Sequence, residues 1–104
     1  MQNKKTTLDD FREELSLIDK QIIDLLKIRF DFACVIGKYK KENDIPIVNQ
    51  AFSLINREKY SENLGSYGGE IYDLLHNISV TIQNDESKYL QIRGCKTTKS
   101  EEAI

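Results

Sequence analysis

The sequence predicts an all-α chain of three helices, one long, one short and one medium. Three observations carry that prediction. Apolar residues recur at steps of three and four over most of the chain. One proline and five glycines in 104 residues leave long stretches without a breaker. No segment alternates apolar and polar residues in the way of a half-buried strand.

The first helix opens at Thr7, with Asp10 at the spacing of a capping box. Leu8, Phe11, Leu15, Ile18, Ile22, Leu25, Leu26, Phe32, Ala33, Ile36 and Tyr39 then mark one apolar stripe to about Lys41. Such a helix is about 50 Å long at 1.5 Å per residue. A single chain of this size cannot cover a stripe of that length unless other helices follow it throughout. "KENDIP" (41–46) ends the helix, because Pro46 disfavours helical geometry at Ile45. A second helix starts near Asn49, a natural N-cap, and carries Phe52, Ile55 and Tyr60. "NLGSYGG" (63–69) reads as a turn with Gly65 closing the helix. A third helix places Ile71, Leu74, Leu75, Ile78 and Ile82 on one face and runs to about Leu90. Residues 1–93 thus form one helical domain, and the polar stretch 94–104 reads as a mobile tail.

Composition narrows the function classes. Fifteen basic against 17 acidic residues give a net charge of −2, with no basic footprint for nucleic acid. No apolar run is long enough to span a membrane. The first ten residues carry charges and no apolar signal segment. Cys34 and Cys95 lie far apart without a CxxC partner, so a reducing, cytoplasmic location is expected.

A few polar residues fall at positions where the helical pattern is apolar. Arg29 and Lys40 are eleven residues apart, close to three whole turns, so both project from one side about 16 Å apart. Two long cationic side chains leaning together can bracket a small anion. Ser79 and Gln83 form an i,i+4 pair on the third helix, one hydroxyl and one amide aimed at the same place. Arg12 precedes Arg29 by about 25 Å on a straight helix and cannot share a small ligand with it in one chain. Across a two-fold axis, an antiparallel partner helix brings it alongside. Each residue also has an ordinary explanation. Helical arginines usually snorkel or pair at the surface, and Glu13, Asp24 and Asp31 are near. Lys40 in "KYKK" reads as solvated, and Ser79 and Gln83 as polar edge positions. His76 has no carboxylate or cysteine at metal spacing and reads as a structural histidine. Phe30, Phe32, Tyr39, Tyr67 and Tyr72 read as core or interface.

Taken together, "LDDFREELSLIDKQIIDLLKIRFDFACVIGKYKKENDIPI" (8–47) and "SVTIQ" (79–83) resemble the all-α, AroQ-type chorismate mutases. Arg12, Asp19, Leu25, Leu26, Arg29, Gly37, Lys40, Pro46, Ile47, Ser79 and Gln83 carry the match, which runs from about Leu8 to Gln83. The resemblance implies an intertwined homodimer with antiparallel long helices and two sites, each completed by Arg12 of the other chain. It implies that Arg12 and Arg29 bind the two carboxylates of chorismate. It gives Lys40 and Gln83 the ether oxygen, and Ser79 a carboxylate. The rearrangement to prephenate is unimolecular and needs no nucleophile, proton transfer, cofactor or metal.

One segment departs from that pattern. The family usually reads P-[IV]-x-D-x2-R-E, whereas this chain has "PIVNQAFS" (46–53). Asn49 stands for the aspartate, Phe52 for the arginine and Ser53 for the glutamate that meets the ring hydroxyl. "NRE" (56–58) offers an Arg-Glu pair about one turn too late, so Arg57 and Glu58 read as surface residues. Three readings stay open: a chorismate mutase with a remodelled ring contact; an enzyme acting on 4-amino-4-deoxychorismate or isochorismate; or a helical dimer that binds or regulates without efficient catalysis.

Overall fold

The computed structural model describes residues 7–93, with side-chain surroundings through Leu90. The tail expected at 94–104, Cys95 with it, lies outside the described residues. The chain is all-α, with four helices where three were expected: α1 (Leu8–Glu42), α2 (Gln50–Leu64), α3 (Ser66–Asn84) and α4 (Glu86–Arg93).

α1 runs 35 residues from a reciprocal capping box. The Thr7 N–H donates to Asp10 Oδ2 at 3.0 Å, and the Asp10 N–H donates to Thr7 Oγ1 at 3.2 Å. Two of the orphan donors at the helix start are satisfied in this way. At the other end Asp44 takes a left-handed backbone, φ 57°, which aspartate tolerates better than most residues. The Ile45 N–H then reaches back to the Lys40 carbonyl at 2.8 Å, a six-to-one closure. This tight reversal folds the chain back over the end of α1 and sets the Ile47 carbonyl against the Lys40 ammonium.

Asn49 caps α2, accepting from the Phe52 N–H at 3.1 Å. α2 packs on α3 and not on α1. Arg57 donates from Nε and Nη2 to both oxygens of Asp73, at 2.9 and 3.0 Å, and braces the hairpin from outside. This bidentate bond holds the Asp73 carboxyl below its ordinary range. The turn expected over 63–69 contracts to a single residue, Gly65. Its φ of 73° and ψ of −155° lie where only glycine is at ease, so one residue absorbs the reversal and Ser66–Gly69 join α3. Gly68 allows the hairpin to close, since a Cβ there would strike the Tyr60 carbonyl.

The third helix expected to reach Leu90 breaks at Asp85 instead. The Asp85 carboxylate accepts from the Ser87 hydroxyl and from the Ser87 and Lys88 backbone N–H groups, all of which hold its pKa down. It therefore acts as a cap for α4. Ile78, Ile82 and Tyr89 keep a helical period across the break, which is why spacing alone did not show it. Contacts at both ends fold α4 onto α1. The Tyr89 hydroxyl donates to Asp31 Oδ1 at 2.6 Å, Tyr89 meets Phe30 edge-on, and Lys41 bonds Glu86 at 2.7 Å.

The core is small: Ala33, Cys34, Ile82 and Tyr89, flanked by Phe30, Ile78 and Leu90. α1 and α3 approach closely at Gly37, where a Cβ would lie 2.7 Å from Gln83 Cα. The N-terminal half of α1 is uncovered, with Leu8, Phe11, Leu15, Ile18 and Ile22 all about half exposed or more. No described helix is long and apolar enough to cross a membrane.

Candidate active site

The C-terminal part of α1, the 45–49 loop, the start of α2 and one face of α3 enclose a pocket of about 760 Å³. That is the size of a small-molecule site. Arg29, Lys40, Asn49, Phe52, Ser53, Ser79 and Gln83 all line it. Ile36, Ile45, Ile47, Val48 and Val80 supply apolar walls.

Two bonds between α1 and α3 position the cations. Arg29 Nη1 donates to Ser79 Oγ at 2.7 Å, and Lys40 Nζ donates to Gln83 Oε1 at 3.0 Å. Lys40 also donates to the Ile47 carbonyl at 2.7 Å. Ser79 and Gln83 are both 8% exposed, so these bonds form in a poorly hydrated setting where electrostatic effects are strong. The close approach at Gly37 brings the Gln83 backbone within reach of α1 and lets the Lys40–Gln83 bond form.

Counting donors shows what the arrangement can do. An ammonium has three N–H bonds, and Lys40 spends two on Ile47 and Gln83. Gln83 spends its acceptor oxygen on Lys40, leaving its amide N–H2 to donate. Arg29 spends one donor of five on Ser79. Among the described residues, no aspartate or glutamate lines the pocket. The two cations are thus oriented by neutral partners and not neutralised by acids, a setting for a small anion with more than one oxygen.

Arg12 is not part of this pocket. Its side chain is 68% exposed and 3.8 Å from Asp9. Arg57 and Glu58 are exposed, as expected for surface residues, and Arg57 is engaged with Asp73. Asn49 lines the pocket while its oxygen is used in capping α2. Phe52 is 64% exposed and contributes an open edge. Tyr72 and His76, expected from the sequence to be core and structural residues, also line the pocket, as does Gln50. The signal was available in their spacing, because Tyr72, His76, Ser79 and Gln83 follow one another at steps of four, three and four.

Fold and pocket together define an all-α protein with a partly buried pocket whose cations and donors suit a small anion. Comparison with known proteins gives that class a family. The chorismate mutase type II family model matches residues 11–84, and the chain belongs to that family. A curated relative, the T-protein of Enterobacter agglomerans, is 31% identical over 85 residues. The match covers 76% of this chain and 23% of the T-protein, so the chain spans about a quarter of that relative. No solved structure matches the chain significantly.

Proposed function

We propose that the protein is a chorismate mutase that converts chorismate to prephenate by a unimolecular [3,3] rearrangement. One observation carries this reading: Arg29 and Lys40 converge on a pocket that no carboxylate lines among the described residues, each tied to a neutral partner on α3. Chorismate is a dianion whose ether C–O bond breaks as a C–C bond forms, with no atom gained or lost. Arg29 binds one carboxylate through its remaining donors, with Ser79 fixing the guanidinium. Arg12 of a second copy binds the other carboxylate, since helical distance keeps this chain's own Arg12 away. Clamping both carboxylates holds the enolpyruvyl arm over the ring and removes rotational freedom before reaction. The remaining Lys40 N–H and the Gln83 amide donate to the ether oxygen as negative charge grows there.

A second reading is favoured by the Ser53 position, where the family's glutamate is absent. The pocket then takes a relative of chorismate. Isochorismate fits this better than 4-amino-4-deoxychorismate, whose amine is cationic at neutral pH and has no carboxylate to meet.

Purified protein offered chorismate, isochorismate and 4-amino-4-deoxychorismate in turn separates the readings. Prephenate formation with kcat/KM of about 10⁴ M⁻¹s⁻¹ or more supports the first. Turnover of isochorismate alone favours the second, and no turnover of any of the three rejects both.

A further inference from the structure

Ser53 lines the pocket at the position where the family pattern has a glutamate, and it has neither the charge nor the reach of one. Resting on the reading of the pocket as a chorismate-type site, we infer that His76 is a specificity-determining residue: with Ser53 it forms a hydrogen-bonding subsite, without a carboxylate, that recognises a ring hydroxyl.

Four observations carry this. His76 lines the same pocket as Ser53, Arg29 and Lys40. It stands three residues before Ser79 on the same face of α3, about 4.5 Å along the axis and beyond the two tethered cations. Its ring is held. It stacks on Tyr72 with centroids 5.7 Å apart and planes 22° apart, and Tyr72 is itself 6% exposed and packed edge-on against Tyr60. The imidazole is half-buried, yet neither ring nitrogen bonds another described residue. A stacked, oriented and half-buried ring with unused hydrogen-bonding capacity is a recognition group in waiting.

The chemistry chooses the substituent. A neutral imidazole offers one donor and one acceptor, matching a hydroxyl, which also does both. It offers no full negative charge to an ammonium. Asp73, three residues before it on α3, interacts electrostatically with His76, but both its oxygens are taken by Arg57, and the charged residues among the described pocket lining are the cations Arg29 and Lys40. A cationic ring amine would therefore meet two like charges and no carboxylate among the described lining residues. Where the family places a carboxylate, this chain places a serine on α2 and an imidazole on α3.

The test is an equilibrium binding cycle, which is independent of turnover. The ligands are a bridged bicyclic ether dicarboxylate that mimics the rearranging ring, and the same compound without its ring hydroxyl. Calorimetry gives Kd for both, on wild type and on His76→Phe, which keeps the stack on Tyr72 and removes both nitrogens. His76→Leu is a second apolar variant should the first fold poorly, and His76→Gln is the rescue. Wild type should prefer the hydroxyl compound by about tenfold, the worth of one hydrogen bond. The preference should fall to within about twofold in the apolar variants and return in large part with glutamine. An unchanged preference in His76→Phe or His76→Leu, or no preference in wild type, overturns the role of His76. Tight binding without turnover of chorismate rejects the proposed activity and leaves the cycle able to decide on His76. Binding of neither compound overturns both.

Discussion

At the scale of single residues, the site works by leaving donors unspent. Lys40 and Gln83 bond each other, and each keeps donors for a ligand oxygen. Truncating either removes a donor and releases its partner. Lys40→Ala and Gln83→Ala should each lower kcat by about 10²-fold or more, the range found for removal of one preorganised donor. Steady-state kinetics beside circular-dichroism melting checks this. An unchanged kcat in either folded variant would mean that the ether oxygen is held elsewhere. Asn49 illustrates the opposite economy: its oxygen is committed to the α2 cap, so only its amide group remains for the pocket.

At the scale of elements, α4 is a brace on the outside of the site. It bridges α1 through Glu86–Lys41 at one end and Tyr89–Asp31 at the other, behind the segment of α1 that carries Arg29 and Lys40. The hydrogen bond from Lys41 holds the Glu86 carboxyl below its ordinary range. A depressed carboxyl contributes stability above the unfolded chain's carboxylate range and loses it as pH falls through the folded value. The pair is partly exposed, so its contribution is at most about 1 kcal/mol. Glu86→Gln should therefore lower the melting temperature by a few degrees at pH 7, and that gap should begin to narrow only as the pH falls below the unfolded chain's carboxylate range, about 4.3, and close below the folded value. A gap that stays constant down to pH about 2 would show that the Lys41–Glu86 bond is not what the glutamate contributes.

At the scale of the whole molecule, the described chain is extended and leaves much of α1 uncovered. Its radius of gyration is 18.1 Å and its longest extent 59 Å, against about 13 Å expected for a compact domain of this length. The excess is α1, whose N-terminal half carries Leu8, Phe11, Leu15, Ile18 and Ile22 in the open. The dimer on which the proposed function rests, with a second copy antiparallel on α1, would cover that apolar stripe and bring an Arg12 to the pocket. Sedimentation should give twice the 12.1 kDa chain mass at micromolar concentration. Arg12→Ala and Lys40→Ala should each be nearly inactive alone. Mixed and exchanged in equal amounts, they should recover about one quarter of wild-type activity, because half the dimers then hold one intact site of two. No recovery after demonstrated exchange would mean that Arg12 does not act across the interface.

The helical class, the capped start of α1, the break at Pro46 and the Asn49 cap were legible because each depends on residues within a few positions of one another. So was the pairing of Arg29 with Lys40 on one side of α1, which follows from the helical repeat alone. The break at Asp85 and the contraction of the 63–69 turn to Gly65 were not legible. Apolar spacing continues across the first, and a single glycine's backbone angles achieve the second. The tertiary structure alone decided that Ser79 meets Arg29, that Gln83 meets Lys40 and that His76 shares their wall. These contacts join residues up to 50 positions apart, and they depend on how closely α1 and α3 approach at Gly37. A sequence states which face of a helix is polar; only packing determines which other face it meets, and at what distance.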